Sequence, residues 1–587
     1  MTDTTDTPGA PGTTSPATPD GTGTTTADRL AGLGERYFAA EHTYDPYNAT
    51  LLGIAEYDGL PGDPSRAAGE TAARELRAVA DAAAALPAAD LDEAGRVDRD
   101  VLVALSQGAA DDAEHALWAA NASAKGYVSR QGLVFQAVPT MTVTDADSAD
   151  RYLSRLAGLG EMFRGLGDRY LEEASDGRVP TSTGVRSAVA QLEGYLARPA
   201  AEDALLDPTR SATGRDVRAR AEDLLERTVR PGMAALADRL RTRLHPVARD
   251  DDHVGISEIP GGQEGYAAAV RRHTTTDLTA DEVHRIGLEE LELLRDEAAV
   301  IGHRLFGERD FATIAARLRN DPALRFRTSD EIMATAHAAL ARAEAVRDRY
   351  FPEHGIPDCA IEPINAIDAA SSALGYYQPP AVDGSRPGTF FVNASAPTTH
   401  YRYEYEALTF HESVPGHHMQ LAMAQRLAIP RYRRHLDVEA CSFNEGWGLY
   451  SEQFADDAGL YSDDLSRLGM LSMRAVRACR LVVDTGSHAQ GWSRERAVRF
   501  MLANTATTEE HVRSEVDRYI AWPGQALAYM IGRREILRLR TAAETALGDA
   551  FSIRDFHGAV LGNGAVPLTV LAVAVDRWQA GVLARTH

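Results

Sequence analysis

Lysine is almost missing from this sequence: Lys125 is the only one in 587 residues, so arginine carries nearly all of the positive charge. Basic residues are also outnumbered, 61 against 85 acidic, for a formal net charge of −24. That balance excludes a general electrostatic pull toward nucleic acid or an anionic membrane. Cysteine is scarce: Cys359, Cys441 and Cys479 are odd in number, far apart and without a CxxC pair. Neither a disulfide framework nor a Cys-based zinc finger fits. No apolar run approaches the roughly 18 residues of a membrane helix. The first residues lack a basic segment followed by an apolar stretch. The expectation is a cytoplasmic protein in a reducing compartment, with neither nucleic acid nor membrane as partner.

What is present is mostly helical. Residues 1–27 are Thr, Pro, Gly and Asp with little to bury, which predicts a disordered tail. From Asp28 onward Ala, Leu, Arg and Glu dominate, with apolar residues at three- and four-residue spacing, as in 279–305. Capping boxes are expected at Thr279 with Glu282, Thr328 with Glu331 and Thr507 with Glu510. No fixed repeat emerges, which counts against a solenoid. Residues 358–400 depart from the pattern: AIEPINAI and GTFFVNAS read as short strands, with the loop YYQPPAVDGSRPG between them. The fold class is thus mainly α, with a small β element just before the strongest chemical motif.

That motif is TFHESVPGHHMQ, residues 409–420. It approaches the HExxH pattern, in which two histidines one turn apart hold zinc and the glutamate activates water. Here the residue four past His411 is Pro415. On a regular helix His418 would lie about 10.5 Å along the axis from His411, and His417 about 9 Å along and on another face. Two nitrogens on one zinc sit only about 3.3 Å apart. A regular helix therefore cannot chelate with either pair. Pro415, however, lacks an N–H and its ring clashes with the carbonyl of His411. A two-residue bulge at Pro415-Gly416 would return His417 to the normal second position.

A second segment, 436–456, reads as a helix with Glu445 between Phe443 and Trp447. Glu445 lies 28 residues past His417, enough for a turn and a return pass, and is the candidate third ligand. Glu452, two turns further on the same face, could orient a ligand histidine.

Together these blocks resemble the bacterial DUF885 family, grouped with zinc metallopeptidases of the gluzincin type. The resemblance rests on HESVPGHH (411–418), NEGWGLYSE (444–452), RLVVDTGSHAQGWSRERA (480–497) and RYIAWPGQALAYMIG (518–532). DPYNATLLGIAEYDGLPGDPS (45–65) and DGSRPGTFFVN (383–393) also fit. It implies one helical unit over 28–587, with two lobes around a cleft as in thimet-type and carboxypeptidase-Taq-type enzymes. The family pattern His-Glu-x-x-Pro-Gly-His favours His417 over His418. One Zn2+ per chain is then expected on His411, His417 and Glu445, with Glu412 as general base.

A donor for the developing oxyanion is still needed, and Tyr529 and His488 are the candidates. Asp484, four residues before His488, could fix its tautomer. Arg386 could meet a peptide carboxylate. The expected function is a zinc-dependent hydrolase of peptide or small-amide substrates. The alternatives are a noncatalytic helical peptide-binding protein and a specialised amide hydrolase of secondary metabolism. The intact Glu412 favours catalysis, because a decayed site usually loses its base first.

Overall fold

Capping chemistry and apolar spacing build most of the molecule. The computed structural model describes residues 24–586 apart from 126–127, 353–354, 366–372, 381–385 and 437, and side chains of 212–214 and 586 are likewise outside the description. Residues 1–23 of the expected tail lie outside the described residues. The last residues of that segment are already structured: Thr25 and Asp28 form a capping box that opens helix α1 (Thr26–Tyr44). α1 packs on α2 (Arg66–Ala84), which lies along α3 (Glu93–His115).

The described residues contain two buried apolar clusters. The smaller draws mainly on residues 122–244 and centres on α4 (Ala146–Ser175), whose Leu156, Leu159, Phe163 and Leu166 are fully buried. Each such side chain contributes about 1.5–3 kcal/mol of transfer free energy. The larger cluster joins α1–α3 to the C-terminal helices.

The backbone of that larger part is a pair of 27-residue helices. α5 (Ala280–Phe306) opens with the Thr279–Glu282 capping box and ends at Gly307 in a left-handed conformation, φ 75°. It runs along α6 (Asp464–Gln490), presenting Val283, Leu291, Leu294, Ala298 and Ile301 at helical spacing. The other two expected caps differ in detail. Thr328 accepts from Glu331 N, but the Glu331 carboxylate turns back to Arg327 N, so the box is half formed. At the third, the cap is Thr508, which accepts from His511 N, one residue later than expected.

The β element is a three-stranded sheet in the order β1-β3-β2, formed by β1 (Ala360–Pro363), β2 (Gly375–Gln378) and β3 (Thr389–Val392). The two expected strands pair in parallel, Ile361 opposite Phe390. Tyr376–Gln378, expected in the loop, instead form β2, antiparallel to β3 with Tyr377 opposite Phe390. Edge-strand pairing overrode the turn signal of the following Pro379-Pro380.

Candidate metal centre

Helix α7 (Tyr405–Glu412) ends where the proline forces it to, and α8 (His417–Ala424) begins directly after Gly416. The expected bulge inside one helix is therefore a full break, with Ser413–Gly416 as a tight connection. Ser413 closes α7, both its N–H and its hydroxyl donating to the Thr409 carbonyl, at 2.8 and 2.6 Å. A Cβ on Gly416 would stand 1.9 Å from the His411 carbonyl oxygen, so this turn admits only glycine. The indole N–H of Trp447 donates to the Pro415 carbonyl at 2.9 Å and ties the turn to the next helix.

That next helix, α9 (Cys441–Asp457), is buried on almost every face. It starts five residues later than the 436–456 helix expected. Gly446 lets its backbone approach Gly532 of α10 (Ala528–Leu547), where a Cβ would sit 2.6 Å from the opposing Cα. Gly448 makes room for the His411 ring, which a Cβ would meet at 2.6–2.9 Å. Gly448 thus sets how near Glu445 and Glu452 come to α7, while Gly446 sets the approach to α10.

The result is a compact donor set. His411, His417 and Glu445 each offer a ligand atom, all within 4.8 Å of one another. Glu445 Oε2 lies 3.4 Å from His411 Nε2 and 3.6 Å from His417 Nε2. Ligands at about 2.0–2.1 Å in a tetrahedron are spaced by almost that amount. His411 Nδ1 lies 2.8 Å from Glu452 Oε1; donation of its N–H there leaves Nε2 as the free lone pair. The residues thus fit a zinc ion. Side-chain exposures of 22% for Glu445 and 13% for His417, against 4% for His411, leave the open side next to the first two.

Charge follows the same geometry. Burial alone would lower His411, yet the Glu445 and Glu452 carboxylates hold it up at about 10 without metal. Burial opposes charge on Glu445 as well, but the two imidazoles hold its carboxyl well below the ordinary value. Glu412 is pushed up by burial, against the pull of His417 and His411.

A family model described as "Bacterial protein of unknown function (DUF885)" matches residues 46–575. The chain belongs to the DUF885 family. No curated protein matches it. Among solved structures, "the putative lipoprotein from Colwellia psychrerythraea" superimposes with a TM-score of 0.85 at 24% identity, covering 95% of this chain and 100% of that one. A "putative lipoprotein of unknown function" from Shewanella oneidensis gives 0.71 at 16% identity, covering 93% and 99%. These likenesses show that the fold is shared over nearly the whole chain.

The remaining expected site residues of this DUF885 chain divide. Tyr529, in the first turn of α10, is half-buried beneath the Arg480 guanidinium, 4.3 Å from the ring centroid. Burial and then the Glu445 carboxylate push its phenol above the ordinary value, so it stays a hydrogen-bond donor beside the cluster. His418 faces away: Nδ1 lies 3.0 Å from the Tyr377 hydroxyl and Nε2 2.9 Å from the Pro357 carbonyl. His488 is a correction. Its Nδ1 accepts from Ile256 N at 3.1 Å and its Nε2 donates to the Tyr519 carbonyl at 3.0 Å, so the backbone occupies both nitrogens. Asp484 does not reach it, binding the Tyr266 hydroxyl at 2.6 Å and Gly524 N at 3.1 Å instead. Arg386 is half-buried and donates to the Pro387 carbonyl at 3.4 Å.

Sequence reasoning missed Gly448 and Arg477. Two glycines flanking Trp447 inside a helix were the available signal, since each costs about 1 kcal/mol there unless something approaches closely. Arg477 of α6 sits 3.7 Å from Glu452 Oε1, and nothing in its local sequence marks it.

Proposed function

We propose that this protein is a zinc-dependent hydrolase of peptide or amide bonds. The observation that carries the reading is the donor spacing of His411, His417 and Glu445, with Glu412 following a ligand histidine directly. The finer family reading, a gluzincin-type metallopeptidase with the His-Glu-x-x-Pro-Gly-His motif and a substrate cleft, rests on the same residues. A zinc ion bound there supplies Lewis acidity and brings the pKa of a water toward about 7.

The chain's own groups then have distinct tasks. Glu412 takes a proton from water as its oxygen bonds to the carbonyl carbon. The same carboxyl returns that proton to the amine nitrogen as the C–N bond breaks. Tyr529 donates a hydrogen bond to the carbonyl oxygen as negative charge develops on it. Glu452 holds His411 Nδ1–H and keeps the imidazole turned toward the donor set.

Two observations bear on compartment. Cys359, Cys441 and Cys479 form no disulfide with one another, in keeping with a reducing interior, and no helix among the described residues is long and apolar enough to cross a membrane. Cytoplasmic placement is our proposal from these cysteines.

The test measures metal content and turnover together on Glu412→Gln, using a pool of short peptides as substrate. Full zinc with turnover lowered about 10²-fold or more supports the reading. Full zinc with normal turnover removes Glu412 as the base.

A further inference from the structure

The surface of α6 that faces the donor set carries two arginines one turn apart, Arg477 and Arg480. Arg477 Nη2 lies 3.7 Å from Glu452 Oε1, the oxygen that also holds His411 Nδ1. Arg480, 8% exposed, covers the Tyr529 ring. Arg477 also acts on the Glu412 carboxylate, so the pair borders the proposed base on one side and the proposed oxyanion donor on the other.

Their donors are not all spent. Arg477 donates through Nη1 to the Met473 carbonyl at 3.2 Å, while its buried Nε has no hydrogen-bond partner. Arg480 binds the Tyr519 hydroxyl through Nε at 3.0 Å and Glu515 through Nη2 at 2.8 Å, while its buried Nη1 has none. Their carboxylate partners are shared: Glu515 also serves Arg518 at 3.0 Å, Glu452 is already committed to His411, and Arg477 also acts on Glu404 and Glu412.

Keeping unpartnered guanidinium donors buried costs free energy, which a carboxylate would return through short charge-assisted bonds. We propose that Arg477 and Arg480 form a carboxylate-binding subsite next to Glu412 and Tyr529, so that the substrates are small peptides or amides bearing a carboxylate close to the scissile bond. This rests on the hydrolase reading above and narrows it. A chain-terminal carboxylate and an acidic side chain offer the same chemistry. The planar fork of arginine accepts either, so the experiment separates them.

Zinc-loaded protein is titrated calorimetrically with α,ω-dicarboxylates from malonate to adipate and with the monocarboxylates of matching length. The best dicarboxylate is expected to bind about tenfold or more tightly than its monocarboxylate, as one charge-assisted arginine contact implies. Arg477→Gln should erase that gap while zinc content and monocarboxylate affinity stay unchanged. Equal binding in the parent protein, or a gap that survives in both Arg477→Gln and Arg480→Gln, overturns the subsite. A second measurement needs no variant. The parent protein is offered three tripeptide pools: free acids, neutral C-terminal amides, and C-terminal amides with a Glu side chain. Preference for free acids assigns the subsite to the chain end, and preference for Glu amides assigns it to a side chain. Equal use of all three overturns the subsite while the hydrolase reading stands. If no pool is cleaved, the hydrolase reading fails and the dicarboxylate gap alone decides the subsite.

Discussion

His411 and His488 are both fully enclosed histidines with a carboxylate nearby in sequence, yet the two regions around them behave oppositely. At His411 the carboxylates come from another helix: Glu452 sits 2.8 Å from one nitrogen and Glu445 3.4 Å from the other. At His488 the backbone takes both nitrogens, and the nearby Asp484 is spent on Tyr266 and Gly524. The first imidazole is held up at about 10 in the metal-free protein, and burial pulls the second down to about 4. A buried histidine thus joins a donor set or serves as a structural wedge according to what its neighbours leave unspent. The His488 region also borders a hollow of about 340 Å³ lined by Tyr266, Val270 and Leu278, which shares no residue with the donor set.

The sharpest test of this contrast is catalytic. Glu412→Gln should retain zinc and lose about 10²-fold or more in turnover, whereas Asp484→Asn should leave turnover per bound zinc unchanged; steady-state kinetics with metal analysis reads both. Next in size, Glu452→Gln removes the acceptor for His411 Nδ1–H and should weaken zinc about 10- to 100-fold in a chelator competition. His488→Ala should leave zinc affinity alone and instead lower stability by about 1–3 kcal/mol for each buried backbone group it orphans, measured by urea unfolding. Loss of zinc without loss of stability in that variant would erase the distinction drawn here.

The smallest effect is one of pH. A histidine whose folded value is about 4, against 6.5 in the unfolded chain, is neutral when folded over that window while the unfolded chain binds a proton. Its contribution is present above 6.5 and is lost as pH falls toward 4. Asp484, held up at about 7 by burial, works the other way: it favours the folded state at low pH and loses that contribution as pH rises from 3.8 to 7. The two partly cancel in the parent protein. The difference between parent and His488→Gln isolates the histidine, and this difference should shrink between pH 6.5 and 4.5. A constant difference would mean that His488 is not held neutral.

Much of the helical framework was legible because capping and periodicity are local. Thr279 with Glu282 opens a helix whatever surrounds it, and the 3.6-residue spacing of 283–301 marks the face that meets α6. The strand β2 was not legible, because Tyr376–Gln378 became a strand only by pairing with β3. The spacing of His488 four residues after Asp484 suggested a pair for a sound local reason. It failed because residues from Ile256, Tyr266, Tyr519 and Gly524, distant in sequence, reached both groups first.

The sequence by itself determined that no regular helix could chelate through His411 and a later histidine, since a proline at position 415 forbids continuation and the helical rise keeps His417 too far away. It also determined which residues carry metal-ligand chemistry, because only His, Glu and a few other side chains offer those lone pairs. Tertiary structure alone decided that the chain would break rather than bulge. It decided as well that α9 would approach closely enough, through Gly448, to set Glu445 3.4 and 3.6 Å from the two imidazoles. Those separations depend on how two helices pack against each other, and packing distance is a property of the surfaces that meet rather than of either segment alone.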